Sequence, residues 1–195
     1  RSGYSRFATV PNNAWVETIM AYTGGTTGKL FAAAGTVIYN ITAGGAGVSN
    51  VTGMTNARWQ YINNTTSGGS YIQAVNGANK MRVYNGTTWF ADGDGVPYDV
   101  TGFDTATATN ITLSHNRVWF TQAATLKAWY LANNAIGGAA TAFDLSSFCQ
   151  RGGYLMAIHT WTMDAGYGMD DMTVFITSEC EVLVYRGSDP TSSAT

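Results

Sequence analysis

A plan repeated four times restricts what this chain can fold into. The stretches KLFAAAGTVIYNI (29–41), SYIQAVNGANKMRVYNG (70–86), NRVWFTQAATLKAWYLA (116–132) and MTVFITSECEVLVYRG (172–187) are built alike. Each runs an apolar strand into a polar turn, then a second apolar strand that ends on a tyrosine followed by polar residues. The tyrosines are Tyr39, Tyr84, Tyr130 and Tyr185, in steps of 45, 46 and 55 residues. A large apolar residue precedes each of them: Ile38, Val83, Trp129 and Val184. A further strand is expected ahead of every hairpin, over 15–22, 58–64, 110–114 and 154–162.

Each unit therefore offers at least three strands, and the connecting segments can supply a fourth. Repeats of about 40–50 residues, each an antiparallel sheet, are the sequence signature of a β-propeller. Blades pack face to face, so their inner strands are buried on both sides and read as near-continuous apolar runs. The alternative, a two-sheet β-sandwich, calls for cleaner alternation of apolar and polar residues. The expected fold is all-β, a propeller-like array of about four antiparallel sheets over 1–187, with a polar terminal segment over 188–195. A short helical turn is expected near Ala139–Phe148.

Only 11% of the 195 residues are charged, against a usual share of about 25%. The polar surface must come from Thr, Asn, Ser and Gly, which suit strands and turns better than helices. A hydrophobic share of 45% excludes intrinsic disorder, and a net charge of −2 gives no basic footprint for nucleic acid. No apolar run approaches the ~20 residues of a membrane-spanning helix. Cys149 and Cys180 lie 31 residues apart and read as two buried free thiols more readily than as a disulfide. The chain starts on Arg1 and stops in GSDPTSSAT, which suggests a piece of a longer protein.

The stretch TGGTTGKL (23–30) imitates a phosphate-binding loop. Such a loop needs glycine where Thr23 stands and a metal-binding hydroxyl where Leu30 stands, and it opens a helix. Here the chain continues into a hairpin, and the equivalent joint NNTTSGGSY (63–71) has no lysine, so the stretch is read as a turn. Asp92, Asp94, Asp99 and Asp104 lie in DGDGVPYDVTGFD, but an EF-hand would need glutamate at its twelfth position, where Phe103 stands. Asx-turns explain the run better, with a weak ion site on backbone carbonyls left open.

His115 and His159 are the only histidines. With no H-x-x-x-H, C-x-x-C or G-x-S-x-G spacing they give no zinc or nucleophile signature. His115 is expected in a hairpin turn and His159 in a strand, as a partly buried, satisfied imidazole. Asn-x-Thr recurs at Asn40, Asn50, Asn63, Asn64, Asn85 and Asn110, for which turn chemistry is reason enough. Trp59, Trp89, Trp119, Trp129 and Trp161 are expected to fill the spaces between sheets rather than form a stacking platform for sugar or nucleic acid. No catalytic, cofactor-binding or metal-ligating residue is assigned; Tyr39, Tyr84, Tyr130, Tyr185 and Trp129 are the structural repeat positions.

The segments GYSRFAT (3–9), VETIMAY (16–22), KLFAAAG (29–35), YNGTTW (84–89), NRVWF (116–120), AWYL (128–131), AIGGAATAFDL (135–145), GGYLMA (152–157) and DDMTVFITSECEVLVYRGSDP (170–190) resemble a group of tailed-bacteriophage structural proteins. More distantly, the hairpin order is similar to the packaged-DNA stabilisation or tail hub (nozzle) proteins of short-tailed phages. The resemblance implies a non-enzymatic virion protein of the head-to-tail or tail region, assembled in the bacterial host cytoplasm. It implies a cyclic homo-oligomer, expected to be a hexamer, that forms part of a ring around the DNA exit channel. Its neighbours would be portal, adaptor or other tail proteins, with DNA passing without sequence-specific binding and no cofactor or membrane involved. The competing expectation is a carbohydrate-binding β-domain or adhesin, with a propeller hydrolase third.

Overall fold

A computed structural model describes residues 3–11, 14–164, 169–187 and 189–191. Strands dominate it and the fold is all-β. Strand β1 is Ala8–Thr9. The first sheet then runs β2 (Val16–Tyr22), β3 (Lys29–Ala34), β4 (Val37–Asn40) and, after the short β5 (Gly45–Ala46), β6 (Val48–Val51). The second is β7 (Gln60–Thr66), β8 (Gly69–Val75), β9 (Arg82–Tyr84) and β10 (Trp89–Ala91). After β11 (Val100–Thr101), the third is β12 (Ala108–Ser114), β13 (Arg117–Gln122), β14 (Lys127–Tyr130) and, past β15 (Gly138–Ala139), β16 (Thr141–Asp144). The fourth has three strands among the described residues: β17 (Leu155–Asp164), β18 (Met169–Thr177) and β19 (Val182–Tyr185). All four are antiparallel meanders in chain order.

Turn chemistry sets these hairpins. His115 and Asn116 both take positive φ, 51° and 57°, which is the two-residue geometry that matches strand twist. TGGTTGKL joins β2 to β3, and the equivalent Gly/Thr-rich joint links β7 to β8. Neither opens a helix.

The expected helical turn at Ala139–Phe148 is corrected. Thr141–Asp144 instead forms the outer strand of the third sheet, in register with β14 from Lys127↔Asp144 to Tyr130↔Thr141. A free ladder edge outweighs the local preference of an alanine-rich stretch. Only Leu145–Cys149 turns back, with the Phe148 and Cys149 amides on the Leu145 carbonyl.

Two short parallel pairs decorate the odd-numbered sheets. β1 pairs with β5 and β11 with β15, so a segment ahead of the sheet is clasped by the loop between its third and fourth strands. Both clasps use Gly-Gly-Ala, at 44–46 and 137–139. The second needs glycine for space, because a Cβ on Gly137 would overlap the Pro97 carbonyl oxygen.

The sheets are stacked in chain order, not laid as two facing layers. Met20, Phe31 and Ile38 of the first meet Trp59, Ile72 and Tyr84 of the second. Tyr71, Val75 and Val83 of the second meet Ile111, Val118 and Phe120 of the third. Trp119, Ala128 and Tyr130 of the third meet Leu155, Ile158 and Phe175 of the fourth. The other face of the first sheet, with Ala32, Ala34 and Tyr39, is covered by Ala8, Val10 and Ala14. This explains the uninterrupted apolar run of β3: Phe31 and Ala33 serve one core, Ala32 and Ala34 the other. None of these clusters draws on both the first and the fourth sheet.

Candidate interaction surface

Side chains that copy the backbone ladder tie the sheets together. The Asn63 carboxamide accepts from the Thr23 amide at 3.2 Å and donates to the Ala21 carbonyl at 2.9 Å, clamping the first sheet to the second. Gln73, fully buried, donates to the Ile136 carbonyl at 2.9 Å and accepts from Asn64 at 2.9 Å. Between the third and fourth sheets, Asn110 accepts the Ile158 amide at 3.0 Å and Ser114 shares a 2.7 Å bond with Thr173. Of the Asn-x-Thr asparagines, Asn63 and Asn110 are thus joints between sheets, and Asn64 braces Gln73 within the second. Asn40 and Asn85 close local turns onto the Thr42, Thr87 and Thr88 amides.

The acidic run is a folded loop with its carboxylates already engaged. Asp92 is buried and accepts from the Thr105 hydroxyl at 2.6 Å and the Val100 amide at 2.8 Å. Asp94 caps the Ala91 amide, and Asp99 holds the amides of Gly93 and Gly95. Lys80 reaches Asp104 at 3.0 Å and Asp92 at 3.4 Å. The hydrogen bond to Lys80, then the Ala106 amide, draws the Asp104 carboxyl below its ordinary range, and the same bond raises Lys80. Oxygens aimed at amides are poorly placed to converge on a cation. Among the described residues no group of three or more His, Cys, Asp and Glu side chains is placed to hold a metal.

Each repeat tyrosine lies on the third strand of its own sheet: Tyr39 on β4, Tyr84 on β9, Tyr130 on β14 and Tyr185 on β19. Tyr39, Tyr84 and Tyr185 face back along the stack, away from the following sheet. Tyr130 faces forward, into the core shared with the fourth sheet, where Arg117 lies 5.7 Å from its ring centre. Trp129 takes the backward position, since a one-residue offset turns a strand side chain to the opposite face. It is half-buried, stacks on Phe103 at 5.0 Å and donates its indole N–H to Gln122 at 2.9 Å.

Trp59 and Trp119 are buried, as expected, and Trp89 is half-buried. Trp161 departs from expectation: half its surface is exposed, on the face of β17 turned away from the third sheet, although its cross-strand partner Met172 is buried. His159, expected to be partly buried, is exposed on the same strand. The cysteines are corrected too. Both are free, but Cys180 is exposed in the β18–β19 turn and only Cys149 is half-buried. Burial, then the nearby Glu181 carboxylate, raises the Cys149 thiol. Lys29 lines an open cleft of about 330 Å³ with Asn40, Thr42, Val48 and Asn50 at the edge of the first sheet.

The distribution of exposed large apolar side chains is uneven. Tyr4, Phe7, Trp15, Val16, Ile19 and Val48 belong to the first sheet and the segment before it. Tyr154, Met156, Trp161, Ile176, Val182 and Val184 belong to the fourth sheet and its approach. Among the described residues the only others are Val96 and Phe148, both in loops, and no strand of the second or third sheet contributes one. The exposed large apolar side chains of the strands therefore gather at the two ends of the stack, on outer faces that Ala8, Val10 and Ala14 cover only in part at the first sheet and where Met172 is buried at the fourth. Exposed apolar side chains gathered in this way mark a candidate interaction site.

Among the described residues the fourth sheet also ends on the unpaired edge of β19. The Thr177 amide donates to the Glu181 carbonyl, which makes that pair hydrogen-bonded. By antiparallel alternation, Phe175–Leu183 and Thr173–Tyr185 are hydrogen-bonded pairs as well. Val182 and Val184 therefore turn their N–H and C=O groups away from β18, towards the sheet's edge. Comparison of the chain with protein-family models, with curated proteins and with solved structures gives no match in any of the three.

Proposed function

We propose that this chain is a non-enzymatic structural subunit whose sheets form an arc of a β-propeller-like ring, in the head-to-tail or tail hub region of a tailed bacteriophage. One observation carries the assembly part of this reading: the uncovered apolar side chains gather at the two ends of the sheet stack. A stack that repeats one packing step buries both faces of its inner sheets and leaves one adhesive face at each end. Such faces are satisfied by another sheet of the same kind, from the same ring or from a neighbouring subunit, as in other repeat architectures.

The phage part rests on the resemblance of the segments from GYSRFAT to the DDMTVFITSECEVLVYRGSDP stretch. The low charge supports it, since each Lys or Arg contact to phosphate adds salt-dependent binding that would retard passing DNA. In this reading the subunit forms a cyclic homo-oligomer, six-fold by analogy with tail hubs, in contact with portal, adaptor or other tail proteins.

The test is mass measurement together with imaging. Rings in purified particles that contain this chain are the expected result. A soluble monomer absent from virions would sink the reading. The exposed Trp161 gives a carbohydrate-binding domain a specific footing, and saturable binding of a glycan panel, lost in Trp161→Ala, would favour it instead.

A further inference from the structure

Three sheets have four strands, whereas the fourth has three among the described residues. In the complete sheets the outermost strand is short: four residues in β6, three in β10 and four in β16. Each delivers an apolar side chain to a core between sheets, namely Val51, Trp89 and Phe143. Among the described residues no strand lies beside β19 on its side away from β18, and Val182 and Val184 are 61% and 46% exposed.

One segment of the chain has the properties of the missing strand. Gly3–Arg6 is four residues long and has no regular secondary structure of its own. Its Tyr4 is 98% exposed. The chain is then held firmly, because the Gly45 amide donates to the Phe7 carbonyl at 2.8 Å and β1 pairs with β5. Charge agrees as well. Residues 1–16 include Arg1 and Arg6 and no acid, whereas 164–186 include Asp164, Asp170, Asp171, Glu179 and Glu181 against Arg186 alone.

We propose that Gly3–Arg6 of a second copy of this chain adds to the open edge of β19 as the fourth strand of the fourth sheet. Tyr4 and Arg6 then project on one face, two residues apart, as strand geometry requires. The main-chain groups of Val182 and Val184 supply the ladder, the usual basis of strand addition at a sheet edge. The donor stays anchored at its own first sheet while it completes the neighbour's fourth, so the contact is head-to-tail. Repeated contacts of this type close into a ring or extend into a fibre. The inference deepens the ring reading and rests on it for the copy as occupant.

Two variants of the chain separate the donor from the acceptor. Deletion of residues 1–6 removes the donor and keeps β19. Val184→Pro blocks the edge without removing a β18–β19 bond, since the Val184 N–H points outward; Val184→Lys does the same by charge if proline disturbs the hairpin. Light scattering across a concentration series is expected to give a multiple of the monomer mass for the parent chain and the monomer mass for every variant. An equimolar mixture of the deletion variant and an edge variant is expected to give a heterodimer and nothing larger. A mixture that stays monomeric overturns the proposal. So does a variant that assembles like the parent, and in that case the ring reading survives. A monomeric parent chain removes both.

Discussion

The third and fourth sheets begin from the same meander and differ in what surrounds them. The third has a sheet on each side and four strands, and all of its aromatic residues are at least half-buried. The fourth packs one face on the third sheet, and its last strand alternates exposed and half-buried side chains. Trp119 and Trp161 state the contrast at single residues. Each lies on the strand pair that begins its sheet, yet one is 2% and the other 50% exposed. The difference lies in whether a neighbour exists, and neighbours are what make a sheet of this kind a stable core or an adhesive end.

The largest expected effect lies at the shared core. Trp119→Ala removes a ring packed on Tyr130, Phe143 and Phe175. It should cost about 3–5 kcal/mol in urea unfolding. Trp119→Phe should cost much less, because the indole N–H is buried with no partner among the described residues, so its loss forfeits no hydrogen bond there. Equal losses for the two would mean that the core between the third and fourth sheets is not packed as described. Next in size is Gln73→Leu, which keeps the volume but leaves the Ile136 carbonyl and the Asn64 amide unpaired. About 1–3 kcal/mol for each orphaned group is expected, with Gln73→Glu distinguishing charge from lost bonding.

Strand order was legible because it is a local property. Apolar runs bounded by Gly, Asn and Thr placed the four hairpins and the strand ahead of each, and the structure puts β2, β7, β12 and β17 there. What surrounds a strand is not local. Nothing in LMAIHTWT tells that, among the described residues, only one of its faces meets another sheet, so Trp161 and His159 were expected to be less exposed. The same limit hid the outer strand Thr141–Asp144, whose ladder partner lies in β14. The repeated Gly-Gly-Ala at 44–46 and 137–139 marks both parallel clasps, whereas the sequence around Tyr130 carries no sign that its ring turns forward.

A smaller effect is expected at the joint that Lys80 makes with Asp104 and Asp92. The Asp104 carboxyl titrates below its ordinary range, so the stability it adds is complete above that range and is lost as pH falls through the lowered value. Lys80 is raised, so its part is complete below its ordinary range and is lost as pH rises through the raised value. The Lys80 and Asp104 side chains are 49% and 58% exposed, which screens the pair. Lys80→Met should therefore cost below about 1 kcal/mol at neutral pH. Its acid unfolding limb should also be less steep than the parent's. An unchanged acid limb would place the depression of Asp104 on the Ala106 amide alone.

The smallest expected effect on stability bears most directly on the contrast between the sheets. Trp161→Ala removes a side chain of the same type as Trp119, half-exposed on the face turned away from the third sheet. Surface substitutions of this kind stay within about 0.5 kcal/mol. If the isolated chain loses several kcal/mol instead, the outer face of the fourth sheet is already covered and the stack has no adhesive end there. If monomer stability is unchanged while the assembled mass falls, the exposed ring is held for a neighbour. The ratio of the losses in Trp119→Ala and Trp161→Ala then measures how far one packing step has been completed in one sheet and left open in the next.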